Sequence, residues 1–146
     1  MKKILGSVLA VVVLAGAGLA LTAFKAHGEA DSTRFERLVT HRLDDLLDDV
    51  RATDAQRQKV HALKDKLMAD VRALHEGQLT ARRDLVGEWK SEAPDRARVL
   101  AIVDDRAEAM KKMAEEVAGA LVDLHDILTP AQRALISRKL DRHLAE

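Results

Sequence analysis

From Phe35 to the C-terminus, apolar residues return every three or four positions, in four blocks separated by short polar interruptions. In the first block Phe35, Leu38, Val39, Leu43, Leu46, Leu47 and Val50 form one stripe, with Asp44, Asp45, Asp48 and Asp49 between them. A period near 3.6 with acids on the far side predicts an amphipathic helix. The second block opens at Thr53-Asp54-Ala55-Gln56, which matches a capping box: a hydroxyl for the orphan N–H groups and a Gln that reaches back. Its stripe runs through Val60, Leu63, Leu67, Val71, Leu74, Gln78, Leu85 and Trp89 and ends near Ser91. Gly77 and Gly87 are expected weak points where this helix bends. In the third block Pro94 is expected in the first turn, where its missing N–H costs nothing. Leu100, Val103, Ala107, Met110, Ala114, Val117, Leu121, Leu124 and Leu128 then follow in a heptad-like register. The fourth block begins with a second capping box, Thr129-Pro130-Ala131-Gln132, and carries Leu135, Ile136, Leu140 and Leu144 on one face.

The second and third helices are each about 35 residues, or about 50 Å at 1.5 Å per residue. A compact domain of this size has a radius of gyration near ~13 Å. The expected fold is therefore all-α and elongated: a long antiparallel helical hairpin with short flanking helices. So thin a body leaves apolar surface half covered, and the expectation is a homodimer in which a second copy covers it.

Composition agrees. Charged residues make up 33% and aromatic residues 2%, with neither Tyr nor Cys. Strands favour aromatic and β-branched residues, so a sheet is disfavoured. The absence of Cys excludes disulfides, thiolate metal sites and a lipidated cysteine. Net charge is zero, with a small acidic excess once Lys2 and Lys3 are set aside. That is no footprint for nucleic acid.

The first residues are of another kind. Met1-Lys2-Lys3 is a basic start, and Ile4 to Phe24 is uncharged and strongly apolar. This is an export signal rather than part of the fold. Read to Leu14 it is an ordinary signal core followed by small residues, with Ala15-Gly16-Ala17, Gly18-Leu19-Ala20 and Leu21-Thr22-Ala23 as cleavage contexts. Read to its end it is long enough to span a bilayer. Residues 1–24 are thus a signal peptide or a signal anchor, residues 25–34 a linker, and residues 35–146 the helical domain.

Candidate chemistry is sparse. The six His residues are His27, His41, His61, His75, His125 and His143, and no two stand three or four apart. Mixed donor sets are His61 with Asp65, His41 with Asp44 or Asp45, and Asp123, His125 and Asp126. Imidazole with carboxylates suits zinc, nickel or cobalt, and His41 and His125 are the first candidates. No Ser lies in a nucleophile elbow and there is no phosphate-binding glycine loop. The carboxylates lie along exposed helix faces, as in Asp104, Asp105, Arg106, Glu108, Lys111 and Lys112. An enzyme is not expected.

The same device occurs twice: Ala52-Thr53-Asp54-Ala55-Gln56-Arg57 before the hairpin and Leu128-Thr129-Pro130-Ala131-Gln132-Arg133 after it. A signal, a short helix, this motif, a long hairpin, the motif again and a closing helix resemble the Spy/CpxP family. That family comprises periplasmic refolding chaperones, envelope-stress regulators and heavy-metal sensors. Its mark is a twice-occurring Leu-Thr-x-x-Gln. Leu128, Thr129 and Gln132 match in full; Thr53 and Gln56 match with Ala52 in the Leu position. The resemblance covers roughly residues 35 to 144. It implies a curved, cradle-like dimer in the periplasm, without nucleotide or required cofactor. Its partners would be unfolded client proteins, or an inner-membrane signalling protein if the chain is an anchored sensor of metal or stress. A client-binding surface needs apolar and charged groups together. Met68, Leu79, Val86, Ile102, Met113 and Val122, beside the main stripes, are the candidates, with Arg72, Arg82, Arg83, Arg96, Arg98 and Arg106 to attract acidic clients.

Overall fold

The computed structural model describes residues 29–144, with side chains for 34–142. Four helices follow in order: α1 (Glu29–Asp49), α2 (Asp54–Lys90), α3 (Arg96–Ile127) and α4 (Pro130–Leu144). Among the described residues there is no strand, and the fold is the elongated all-α one that the periodicity predicts. The apolar leader, residues 1–24, lies outside the described residues. Residues 29–34 of the segment read as a linker are helical, as the start of α1.

α2 and α3, of 37 and 32 residues, form the antiparallel hairpin. Partners step up one helix as they step down the other: Gln56 with the Ile127 carbonyl, Lys66 with Glu116, Glu88 with Arg98. The hydrogen bond between Lys66 and Glu116, and then their opposite charges, hold the amine above its usual pKa and the carboxyl below its own. This exposed pair is intact near neutrality. It is lost when Glu116 protonates in acid or Lys66 deprotonates in strong base. α1 lies antiparallel along the first half of α2, tied by His61 to Asp44 (2.9 Å), Lys64 to Thr40 (3.0 Å) and Arg72 to Glu36 (3.0 Å).

The helix ends follow local chemistry. α1 stops in a Schellman motif: Arg51 takes a left-handed φ of 52°, Ala52 N–H donates to the Leu47 carbonyl and Arg51 N–H to the Asp48 carbonyl. α2 opens with Thr53 in a full capping box and ends at Ser91. α3 is capped by Asp95, whose carboxylate accepts from Ala97 N–H and Arg98 N–H. Pro94 therefore precedes the cap and does not occupy the first turn, because a carboxylate satisfies two orphan donors that a proline ring leaves open. Pro130 is the first residue of α4, as expected.

Burial is concentrated at one end of the hairpin, its base. Leu47 of α1, Val50 and Ala52 of the turn after it, Val60 of α2, Leu128 at the end of α3 and Ile136 of α4 form one cluster, flanked by Leu43, Leu46, Leu124, Ile127 and Leu140. The opposite end, the tip, consists of two helices joined by a short turn and leaves Leu85, Val86, Trp89, Leu100 and Val103 exposed.

Neither glycine breaks α2. Gly77 lies under the Arg106 guanidinium, which a Cβ there would strike, and nothing stands within 4 Å of a Cβ at Gly87. Gly87→Ala is expected to raise the free energy of unfolding by about 0.5–1 kcal/mol, the gain in helix propensity. Gly77→Ala is expected to gain less, because Arg106 must move off the helix. Equilibrium urea unfolding of the two variants tests this ordering.

Candidate functional site

The two motifs, 76 residues apart, close on each other. Gln56 Nε2 donates to the Ile127 carbonyl at 2.8 Å and to Gln132 Oε1 at 2.9 Å. Gln132 Nε2 donates to the Val50 carbonyl at 3.3 Å and to Gln56 Oε1 at 3.1 Å. Each side-chain oxygen also closes its own capping box. Gln56 Oε1 accepts from Thr53 N–H and Gln132 Oε1 from Thr129 N–H, both at 2.9 Å. The threonine hydroxyls accept in return from Gln56 N–H and Gln132 N–H at 3.3 Å. Each amide thus has both N–H groups and both oxygen lone pairs engaged. Gln132 is the buried polar residue of the base, at 8% exposure.

Each Gln is followed by an arginine that completes the arrangement. Arg57 Nε donates to the Ala52 carbonyl at 3.3 Å, and Arg133 Nη1 to the Leu128 carbonyl at 2.6 Å. Arg57 also pairs with Asp48, and Arg133 also reaches the His125 carbonyl at 2.9 Å. The working unit is therefore x-Thr-x-x-Gln-Arg, in which the arginine returns to the carbonyl of the first position. Both copies end in Arg, and that repetition was the available signal for Arg57 and Arg133. Ala52 keeps the place of the missing leucine: it is buried in the cluster that holds Leu47 and Leu128. The paired motifs are a structural clasp. They join the start of α2 to the end of α3 and the start of α4, and their polar atoms are spent on one another.

The candidate client residues divide. Met68 and Met113 are buried, at 7% and 5% exposure, so a folded domain does not offer them to a client. They lie on the sides of α2 and α3 that α1 and α2 cover. Ile102 is half-buried, and Leu79, Val86 and Val122 are exposed. On α3 part of the heptad-like stripe is left bare: Leu100, Val103 and Leu121 are 50%, 51% and 45% exposed, while Met110, Val117 and Leu124 are half-buried and Leu128 is buried. The reason is that α3 has one long neighbour, which packs about 80–140° around the helix from those three residues.

The metal candidates do not converge. His41 stands 3.8 Å from Asp45, and His125 is 3.0 Å from its neighbour Asp126. His61 bonds Asp44 of α1 rather than Asp65, which pairs with Lys64. Among the described residues no three His, Asp or Glu side chains come together as a ligand set. His27 and His143 lie outside the described side chains. An open groove of about 500 Å³ between α2 and α3 is lined by Leu63, Leu67, Lys112, Glu115 and Asp123. Among the described residues no helix is long and apolar enough to cross a membrane.

A model of the LTXXQ motif family matches residues 38–140. No curated protein and no solved structure matches the chain. The matched span runs from α1 through both motifs into α4 and contains the whole clasp, so the chain belongs to the LTXXQ motif family, the domain of Spy/CpxP-type periplasmic proteins.

Proposed function

We propose that the chain acts in the periplasm as an ATP-independent chaperone that holds unfolded or misfolded envelope proteins. The observation that carries this reading is the bare part of the apolar stripe of α3. Leu100, Val103 and Leu121 stand exposed on a folded helix, with Val122 beside them and Arg96, Arg98, Lys111 and Lys112 exposed along the same helix. An unfolded client displays apolar and charged groups together, and a surface with both holds it without a fixed recognition sequence. A hairpin this thin also supports a homodimer. The family is one of chaperones and regulators, and no cofactor is required for such binding.

The test is light scattering of an aggregating client with and without the protein, in the absence of ATP. The wild type is expected to suppress aggregation near one dimer per client. The variant Leu100→Ser/Val103→Ser/Leu121→Ser is expected to lose most of the suppression. Its melting temperature should fall by no more than roughly 7 °C, since exposed substitutions cost about 0.5 kcal/mol or less each. Unchanged suppression by the variant would move the client site off α3.

A second reading is a membrane-anchored sensor or regulator that acts on an inner-membrane signalling partner. The 21-residue uncharged run from Ile4 to Phe24 supports it, being long enough to span a bilayer. Intact mass of the exported protein separates the two: retention of the run favours the sensor. For zinc, nickel or cobalt, His41 and His125 each pair with one carboxylate among the described residues.

A further inference from the structure

The face of α2 that α1 covers continues to the tip, where its side chains are exposed. The ties of α1 to α2 fall at Asp44 with His61, Thr40 with Lys64 and Glu36 with Arg72. By that antiparallel register Glu29, the first residue of α1, comes level with about residue 77 of α2. The last turns of α2, to Lys90, extend about 20 Å further, with no other described helix upon that face.

What this stretch presents is specific. At 3.6 residues per turn Leu79, Arg82, Arg83, Val86, Trp89 and Lys90 fall within an arc of about 120°. All six are exposed, Trp89 at 85%. The acids of these turns, Asp84 and Glu88, lie outside the arc and are half-buried, and Glu88 is paired with Arg98. The arc is therefore three apolar side chains, one of them Trp, interleaved with three cations and no anion. That is the composition of a helix lying at a lipid–water boundary: the apolar groups enter the acyl region and the cations stay with headgroup phosphates. Trp, with an apolar ring and one N–H donor, favours that boundary.

The position of the arc supplies the second argument. α1 runs from the tip side toward the base, so its first residue, Glu29, is the end nearer the tip. Residues 25–28 separate the apolar run from α1, and four residues reach at most about 14 Å. With residues 4–24 held in a bilayer, a tip that overhangs the start of α1 by about 20 Å meets the membrane surface. The other candidate occupant from this chain, residues 16–26 prolonging α1, carries no acid to neutralise Arg82, Arg83 and Lys90.

We propose that the Leu79–Lys90 face of α2 is a membrane-docking surface that rests on anionic lipid. The proposal rests on the anchored reading of the N-terminal run. It leaves the α3 stripe free for clients.

Trp89 is the single Trp of the chain, so its fluorescence reports the tip alone. The experiment reconstitutes the full chain into phosphatidylglycerol/phosphatidylethanolamine vesicles containing lipids brominated on the acyl chains. Flotation scores the anchor, and quenching scores the face. The expected result is co-flotation with a blue-shifted Trp89 that the brominated lipids quench, more weakly in phosphatidylcholine. Arg82→Gln/Arg83→Gln/Lys90→Gln is expected to float equally but to lower the docked-to-undocked ratio roughly hundredfold, at about fivefold per cation. A chain that floats with an unquenched, water-like Trp89 overturns the docking face while the anchor stands. A blue-shifted but unquenched Trp89 means that a second copy or residues 16–26 cover the arc, and also overturns it. A chain that does not float removes the anchor, and the proposal falls with it.

Discussion

Replacing Gln132 by Ala is expected to lower the free energy of unfolding by about 3 kcal/mol, a large share of the stability of a domain this size. The side chain makes four hydrogen bonds, to the Val50 carbonyl, Thr129 N–H and both ends of the Gln56 amide. Truncation leaves all of those partners in a site where Gln132 itself is only 8% exposed. An orphaned buried group costs about 1–3 kcal/mol, and water reaching the half-exposed Gln56 recovers part of the sum. The melting temperature should fall by roughly 15 °C. Gln56→Ala should cost less, about 1.5–2 kcal/mol, because solvent can replace some of its partners. The two residues share bonds, so a double-mutant cycle by urea unfolding should show a coupling of about 1–2 kcal/mol. Additive losses would mean that the amides do not pair in solution.

Leu47→Ala is expected to cost about 3 kcal/mol as well, by a different route. Leu47 is the most deeply buried large side chain among the described residues, at 2% exposure, inside the cluster where α1, α2, α3 and α4 meet. Its truncation removes apolar burial and leaves a cavity that four converging helix ends cannot close. Its carbonyl also accepts the Ala52 N–H that ends α1, and that bond survives the substitution. Leu121→Ala, with the same change of side chain at 45% exposure, should cost about 0.5 kcal/mol or less. Thermal unfolding of the pair separates base from hairpin surface. Equal losses would contradict a core concentrated at the base.

Both effects lie at the base, and there the sequence was partly legible. Thr53 and Gln56, and Thr129 and Gln132, were readable as caps because a capping box is a contact between residues three apart. The same locality made Ser91 readable as the end of α2, and the long unbroken periods made the elongated hairpin readable. Where two local devices competed, at Pro94 and Asp95, the position of the cap was not decided by spacing alone.

The sequence by itself determined that this is an all-α chain of four helices with two matched caps and the order of elements of its family. Helix formation and capping draw on neighbours within about one turn, so residue spacing suffices to encode them. Only the tertiary structure decided that Gln56 and Gln132 clasp each other, that Met68 and Met113 are buried, and that Leu100, Val103 and Leu121 stand bare. A 3.6-residue period shows that a helix has an apolar arc. Which part of that arc is covered depends on where the neighbouring helix crosses and how far along it runs, and no spacing within one helix contains that information.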